Sequence, residues 1–233
     1  MSIKNMILGD KNIVRAYKNN EIIFERGTPY IKMPYVSGES TYAFIPVTDH
    51  ELNYNYKFVI DWTTATEPAN GPNTLIGGSY NFNAEYNRYY GLFIGTEYYS
   101  SATGRNGESL RFNTWLRTAA PICYEGNASR HITTFQYTGE TQTPTTRTSG
   151  GFGLFAGRDY TNGDLINIRE RSIPFVSFGN DNKVYNIKIY DENDNLLMDF
   201  VPRVQNGHKG MYDTVNETFY PCTDDSKFII DRD

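Results

Sequence analysis

The sequence predicts an all-β protein, a two-sheet antiparallel sandwich or jelly roll, and three observations lead to this prediction. Aromatic residues make up 15% of the 233-residue chain, and Tyr and Phe favour the half-buried surfaces of pleated sheets. Short apolar or alternating runs, separated by Gly, Asn, Asp and Pro, recur along the chain, whereas no long stretch has helical periodicity. A parallel α/β protein would show helical crossovers between its strands. None is visible, so we expect antiparallel sheets.

The first 26 residues predict a short N-terminal β-meander of three strands. The turns between them contain Gly and Asn, which tolerate the positive φ values of tight hairpins. Gly27-Thr28-Pro29 then interrupts the pattern. We therefore expect a meander over 1–26 and one sandwich domain over 27–233, a size that a single β-sandwich commonly reaches. The three candidate strands are Ile3–Leu8, Asn12–Lys18 and Glu21–Glu25.

Ten further strand candidates follow in the larger segment. Tyr54–Trp62 alternates most clearly, with Phe58 and Ile60 on one face and polar residues on the other. Two longer stretches, 63–72 and 138–151, have no strand pattern and are expected to be loops. The candidates, in order, are Tyr42–Pro46, Tyr54–Trp62, Thr74–Ile76, Tyr90–Gly95, Leu110–Trp115, His131–Tyr137, Gly153–Ala156, Val184–Tyr190, Leu196–Pro202 and Phe219–Pro221.

Charge and hydropathy argue against nucleic-acid and membrane partners. The net charge is −5, the isoelectric point is about 5.3, and no run of Lys and Arg is present. Nucleic-acid binding needs a positive surface that displaces counterions from phosphate. The N-terminal apolar run Met6-Ile7-Leu8 is too short for a signal peptide, and no apolar run approaches the ~18–20 residues of a membrane helix. We expect neither a secretion signal nor a transmembrane segment.

The cysteines and histidines do not predict a zinc site or a nucleophilic enzyme. Zinc sites use CxxC or HxxxH spacings, and serine hydrolases use a GxSxG turn, and the sequence contains none of these. We expect two free thiols and three surface or loop histidines. These residues are Cys123, Cys222, His50, His131 and His208.

The carboxylates do not predict a glycoside hydrolase either. Retaining enzymes of this class hold two carboxylates about 5 Å apart, which alternating positions on one strand provide. The one E-x-D sequence, Glu192-Asn193-Asp194, lies in an expected hairpin loop, and Leu196 and Leu197 stand where a second Glu is needed. We therefore expect no catalytic residues.

The same loop has part of the sequence pattern of a calcium site. Asp191, Asn193 and Asn195 have the spacing that opens a calcium-binding loop, but Leu196 stands where an EF-hand needs Gly, and no Glu follows at the twelfth position. Asp and Asn also favour turns through their own backbone hydrogen bonds, so a hairpin turn is expected. No cofactor is predicted, while a structural calcium ion held elsewhere on the sandwich stays open.

One aromatic and polar segment fits carbohydrate binding. Residues 80–90 and 98–99 mix Tyr with Asn, Arg and Glu, and a sugar presents a C–H face for rings and hydroxyls for amides and carboxylates. An AT-rich coding sequence would also enrich Asn and Tyr without any ligand, so both explanations stay open. The candidate sugar contacts are Tyr86, Tyr89, Tyr90, Tyr98 and Trp115.

Four pieces of the C-terminal third form an ordered pattern. They are Leu154-Phe155-Ala156, then KVYNIKIYD over 183–191, then Asp199-Phe200-Val201-Pro202, then GMYDTVNETFY over 210–220. This pattern resembles the concanavalin-A-like (laminin-G-like) jelly-roll domains of structural proteins of tailed bacteriophages. The resemblance implies a motif of structural residues and no catalytic ones. The motif residues are Asp199, Phe200, Pro202, Tyr212, Asp213 and Phe219.

The front of the chain is similar to the leader that precedes such domains in phage tail and fibre proteins. The matching stretch is Met6–Glu25, with Phe24 where a Trp is more usual. The resemblance implies a virion protein, a head or tail fibre or a decoration protein, made in the host cytoplasm. Its implied partners are other virion proteins and further copies of itself, such as a homotrimer. The alternatives are an adhesin module that binds host-surface carbohydrate and a polysaccharide-degrading enzyme.

The same C-terminal residues have a physical interpretation. We expect the core to contain Ile187, Ile189, Leu197, Phe200 and Val201. Asp199 and Asp213 should lie beside strand ends, where a carboxylate accepts backbone hydrogen bonds. Pro202 fits an edge or the end of a strand, because it has no N–H to donate.

Overall fold

The structure is a computed structural model of the chain. It describes backbone and side chains for one set of residues, and the backbone alone for the remaining positions of the strands given below. The residues with described side chains are 27–34, 43–50, 52, 56–63, 75–76, 129–136, 152–155 and 181–233.

The described elements are strands and one short 3₁₀ helix, Asp225–Lys227. In chain order the strands are β1 (Met6–Leu8), β2 (Lys11–Ile13), β3 (Arg15–Lys18), β4 (Glu21–Glu25), β5 (Pro29–Lys32), β6 (Ile45–Val47), β7 (Lys57–Thr63), β8 (Asn73–Gly78), β9 (Phe82–Asn83), β10 (Arg88–Tyr89), β11 (Leu92–Ser100), β12 (Asn106–Thr114), β13 (Arg117–Thr118), β14 (Ile122–Glu125), β15 (Arg130–Gln136), β16 (Phe152–Leu154), β17 (Lys183–Tyr190), β18 (Leu196–Gln205), β19 (His208–Asp213), β20 (Thr218–Pro221) and β21 (Ile229–Arg232).

Two large antiparallel sheets contain most of these strands. Sheet A has seven strands in the order β13-β12-β11-β8-β16-β6, and β14 pairs with β12. Sheet B has eight strands in the order β15-β7-β17-β18-β19-β20, with β5 paired to both β17 and β21. Every strand pairing in the two sheets is antiparallel. The predicted all-β, antiparallel architecture is confirmed.

The N-terminal segment contains two separate hairpins where the sequence predicted one three-stranded meander. β1 pairs with β2, and β3 pairs with β4, each in its own sheet. Within the described residues, the predicted middle strand, Asn12–Lys18, contributes one strand to each of the two hairpins. A third small sheet is formed by β9 and β10. The boundary at residue 26 stays a prediction.

The described core is one apolar cluster to which both large sheets contribute. In β7, Phe58, Ile60 and Trp62 are fully buried and alternate with half-buried residues, the two-residue period of a strand with one face inward. The ring of Phe152 on sheet A meets that of Phe200 on sheet B edge to face, with centroids 6.2 Å apart. The two sheets therefore pack face to face with the core between them.

Three of the five predicted core residues of β17 and β18 are fully buried: Ile187, Ile189 and Phe200. Leu197 is half-buried and packs against the core cluster, whereas Val201 is half-buried and is not part of the described cluster, so the prediction was wrong for Val201. Because side chains alternate along a strand, the inward position of Phe200 places residues 198 and 202 inward and residue 201 outward. Met198 and Pro202 accordingly take the buried positions.

Pro202 lies inside β18, three residues before its end, and not at the strand terminus. The pairing of β18 with β17 stops at Phe200, whereas its pairing with β19 continues to Gln205. The amide of Thr214 donates to the carbonyl of Asp199, so residue 199 faces β19 and residues 200 and 202 face the β17 side. Pro202, which has no N–H, therefore lies where β18 no longer pairs with β17. This part of β18 is a local sheet edge, the position that a proline requires.

Candidate interaction face

The candidate site is the outer face of sheet B, which we define as the side opposite the core. On β15 the side chains at 130, 132, 134 and 136 are exposed, and Ile132 is the most exposed large apolar residue described, at 72%. The neighbouring outward residues of β7 and β17 are half-buried, apart from Tyr185, which is buried. The face thus combines an exposed edge strand with a better-packed centre.

Four pairs of a cation and an aromatic ring lie on this face. A cation over a ring face is attracted by the ring quadrupole, by about 0.5–1 kcal/mol at exposed sites. Three of the pairs join neighbouring strands of sheet B, and the pair of Arg130 with Tyr185 spans β7. They are Lys57 over Tyr190 at 4.5 Å, Arg130 over Tyr185 at 3.9 Å, Lys183 over Tyr30 at 4.3 Å and Arg203 over Tyr212 at 4.4 Å from the ring centroid.

Arg130 links three strands of the outer face. Its Nε and Nη2 donate to the two carboxylate oxygens of Asp61 on β7, at 2.8 and 2.7 Å. Its guanidinium also stacks on the ring of Tyr185 on β17. The hydrogen bonds with Asp61 raise the pKa of Arg130. Bidentate pairing fixes both position and orientation, so this guanidinium is a rigid part of the face.

Next to it, the carboxylate of Asp233 receives two hydrogen bonds. Lys183 Nζ donates to Oδ1 and the Tyr185 hydroxyl donates to Oδ2. The pairing of β17 with β7 shifts between Val184 and Asn186, so Tyr185 is the extra residue of a bulge. Burial raises the pKa of the Tyr185 phenol, and the bond to Asp233 adds to this, so the hydroxyl stays a donor. Burial opposes ionisation of Asp233, but the bonds from Lys183 and Tyr185 outweigh it and lower its pKa.

We expect Asp233→Asn to weaken the acid dependence of stability. A carboxyl whose pKa is lowered on folding stabilises the protein above its ordinary pKa of about 4, and this stabilisation is lost as pH falls through the lowered value. The pKa values of Arg130 and Tyr185 are raised, so both groups stay protonated throughout that range. Urea unfolding between about pH 5 and pH 2 should therefore show a smaller loss for the variant. Parallel curves for the wild type and Asp233→Asn, with Asp231→Asn as control, would contradict this assignment.

At the opposite end of sheet B, the fully buried carboxylate of Asp213 holds the chain after β19. Its Oδ1 accepts the amide N–H of Asp199 at 2.9 Å and that of Val215 at 3.0 Å, and its Oδ2 accepts Asn216 Nδ2 at 2.6 Å. Asp213 thus bonds backbone N–H groups at a strand end. Asp199 lies inside β18, and its Oδ1 accepts Asn186 Nδ2 at 2.5 Å.

The other residues of the GMYD motif and the strand after it pack around the same hairpin. Tyr212 and Phe219 are neighbours across β19 and β20 and point outward. A Cβ on Gly210 would lie 2.2 Å from the Tyr220 carbonyl oxygen and 2.9 Å from the Phe219 ring, so only Gly fits there. The Tyr220 hydroxyl bonds both carboxylate oxygens of Asp49 at 3.0 Å. The motif is explained by packing and hydrogen bonding.

The loop considered for calcium is a hairpin turn between β17 and β18. The Asp191 carboxylate accepts the amides of Asn193 and Asn195 and Asn195 Nδ2, each at 2.8 Å. These hydrogen bonds lower the pKa of Asp191, and the bond from the Asn195 side chain has the largest effect. Its oxygens thus hold the turn together. Among the residues with described side chains, no group of three or more His, Cys, Asp or Glu is arranged to hold a metal.

The cysteine and the histidines with described side chains lie at different places and have different neighbours. Cys222 is buried, and this burial raises the pKa of its thiol, whereas the side chain of Cys123 lies outside the described residues. His131 points inward beside Trp62, with ring centroids 5.9 Å apart, and burial lowers its pKa. His208 Nδ1 is 3.0 Å from Asp225 Oδ2. His50 lies 3.8 Å from the Asp49 carboxylate.

The five predicted sugar contacts fall outside the described side chains. Tyr89 and Tyr98 lie in β10 and β11, of which only the backbone is described, and Tyr86, Tyr90 and Trp115 are not described. The rings that the structure places on one face are others, notably Tyr30, Tyr185 and Tyr190. Lys188 and Tyr190 alternate with the inward Ile187 and Ile189, which could have indicated Tyr190, whereas the outward position of Tyr185 depends on the bulge.

Comparison with known proteins does not assign the chain to a family. No protein-family model matches the sequence, and no curated protein matches it. The phage resemblance is therefore carried by its motif residues alone. Within the described part of the chain, no helix has the length and apolar character that a transmembrane span requires.

Proposed function

We propose that this protein is a non-enzymatic interaction module of a tailed phage particle, in which a jelly-roll sandwich of the concanavalin-A-like type presents the outer face of sheet B to neighbouring protein subunits. The observation that carries the proposal is the set of four cation–ring pairs on that face. Protein interfaces are enriched in Tyr and Arg, because these side chains combine large contact area with hydrogen bonding. The ordered motif from residue 154 to residue 220 supports the phage setting.

The neighbouring subunit is a further copy of the same chain. The exposed Ile132 lies between the outward-facing Arg130 and Thr134, so an apolar contact would be surrounded by polar groups. An apolar centre with a polar rim is the usual arrangement of protein interfaces. A homo-oligomer would bury this residue in every copy, and the leader over 1–26 would connect the assembly to the particle.

Multi-angle light scattering of the full chain tests the homo-oligomer. We expect an oligomer at micromolar concentration and dissociation when Ile132 is replaced by Glu, because the new charge would be desolvated at the contact. Val215→Glu is the matched control, since Val215 is 42% exposed in a turn away from β15. A wild-type monomer, or equal dissociation by both variants, would overturn the proposed contact.

The particle itself tests the phage assignment. In particles purified from cells that carry the gene, mass spectrometry should detect the chain in stoichiometric amounts with the other virion proteins. Its absence from the particles would contradict the proposal. Incubation with host polysaccharides should release no reducing ends, and any release above that of a boiled sample would overturn the non-enzymatic assignment.

A further inference from the structure

We propose that Lys183, Tyr185 and Arg130 form a binding site for a carboxylate group, which Asp233 occupies and which a carboxylate-bearing ligand enters by displacing Asp233. The two donors, Lys183 and Tyr185, lie on β17 of sheet B, the Arg130 guanidinium on β15 adds a positive charge beside them, and the carboxylate comes from the residue after β21. The site therefore has a fixed part, the cationic and hydroxyl groups of sheet B, and a removable part, the carboxylate of Asp233.

The side chains of Arg130, Tyr185 and Lys183 are held by contacts that do not involve Asp233. Arg130 is fixed by its two hydrogen bonds with Asp61. Tyr185 is only 3% exposed, and its ring packs edge to face on Tyr30 with centroids 6.0 Å apart. The Lys183 ammonium lies over the ring of Tyr30, 4.3 Å from its centroid. The donors should keep their places when Asp233 leaves, and such preorganisation lowers the entropic cost of binding.

The occupying group is held less firmly. The strand before it, β21, contains no fully buried residue and pairs with β5 alone among the described strands. Among the described residues, the backbone of Asp233 is held by a hydrogen bond from its amide to the carbonyl of Thr28, at 3.2 Å. The side chains of Lys183 and Asp233 are 31% and 42% exposed. Solvent, and hence a ligand, reaches the pair.

When Asp233 is displaced, another carboxylate can accept the hydrogen bonds that its carboxylate accepted. Without Asp233, the Tyr185 hydroxyl and the Lys183 ammonium lose the carboxylate oxygens to which they donate. A ligand carboxylate restores both bonds. The ligand class is thus a carboxylate, carried by a uronic acid or by an acidic peptide segment.

The test is an NMR titration of the ¹⁵N-labelled full chain with sodium acetate, glucuronate and N-acetyl-aspartate amide, against sodium chloride at equal ionic strength. Asp233→Ala should show saturable shifts at the amides of residues 183 and 185, with dissociation constants in the millimolar range. The wild type should need at least about twofold more ligand, because the intramolecular carboxylate competes at a millimolar effective concentration that equals or exceeds the dissociation constant. The double variant Asp233→Ala/Lys183→Met should lose saturation.

Each outcome decides the proposal. If glucuronate binds more tightly than acetate, a carboxylate site for an acidic sugar is supported, and if the blocked aspartate does so, a site for an acidic peptide is supported. Unsaturable shifts in Asp233→Ala at 50 mM ligand or so, or equal shifts in the Lys183→Met double variant, would overturn the proposal. Well-dispersed spectra of each variant show that the fold is retained.

Discussion

Replacing Asp213 with Ala is expected to lower the free energy of unfolding by about 3–5 kcal/mol, because the change removes a buried, hydrogen-bonded charge. The carboxylate is fully buried and accepts the amides of Asp199 and Val215 and the side-chain amide of Asn216. The first of these bonds joins β18 to β19, and the other two hold the turn that follows β19. Alanine would leave all three donors without this acceptor, and Asn216 Nδ2 would keep its bond to the Leu197 carbonyl.

Asp213→Asn keeps the shape of the side chain and changes its hydrogen bonding. Its single carbonyl oxygen can accept the two backbone amides, but its NH₂ group would face the donor Nδ2 of Asn216, so an intermediate loss is expected. Asp231→Ala, at an exposed position of β21, is the control and should leave the unfolding free energy unchanged within error. Urea unfolding followed by circular dichroism measures all three. A loss below 1 kcal/mol or so for Asp213→Ala would show that the turn is held by other contacts.

The fold class could be predicted from sequence because its signals are local. β7 follows the period-two pattern, with Phe58 and Ile60 inward as expected. The Asp191–Asn195 turn was likewise readable from the preference of Asp and Asn for their own backbone amides. The Asn206-Gly207 pair is a further local signal in the sequence. Asn206 and Gly207 have φ values of 53° and 83° between the paired residues Gln205 and His208, as in a two-residue hairpin that an Asn-Gly pair favours.

The candidate site could not be predicted, because its members meet only through pairing between distant strands. Arg130 and Tyr185 are far apart in the chain, and they meet because β15 and β17 both pair with β7. The bulge that places Tyr185 on the outer face has no sequence signal of its own. Asp233 joins the site through the pairing of β21 with β5. Hydrophobicity alone also assigned Val201 to the core, from which the strand period excludes it.

Phe200→Ala is the second change with a large expected effect, a loss of about 3–5 kcal/mol in unfolding free energy. The ring is fully buried, meets Phe152 of sheet A at 6.2 Å between centroids, and meets Tyr220 at 5.8 Å. Its removal opens a cavity between the sheets, and the surrounding strands are fixed by their ladders and relax only in part. Phe219→Ala is the matched control. That ring is half-buried on the outer face over Gly210, so it should cost less than half as much.

A double-mutant cycle extends this test to the packing of the two sheets. Phe200→Ala and Phe152→Ala remove the two rings that touch across the core, one from each sheet. An edge-to-face pair contributes about 0.5–1.5 kcal/mol beyond the area that it buries, and the cycle isolates this coupling. Because the residues lie on different sheets, coupling of this size requires that sheets A and B face each other through these positions. Strict additivity of the two losses, with both variants folded, would mean that the rings do not meet and that the sheets pack in another register.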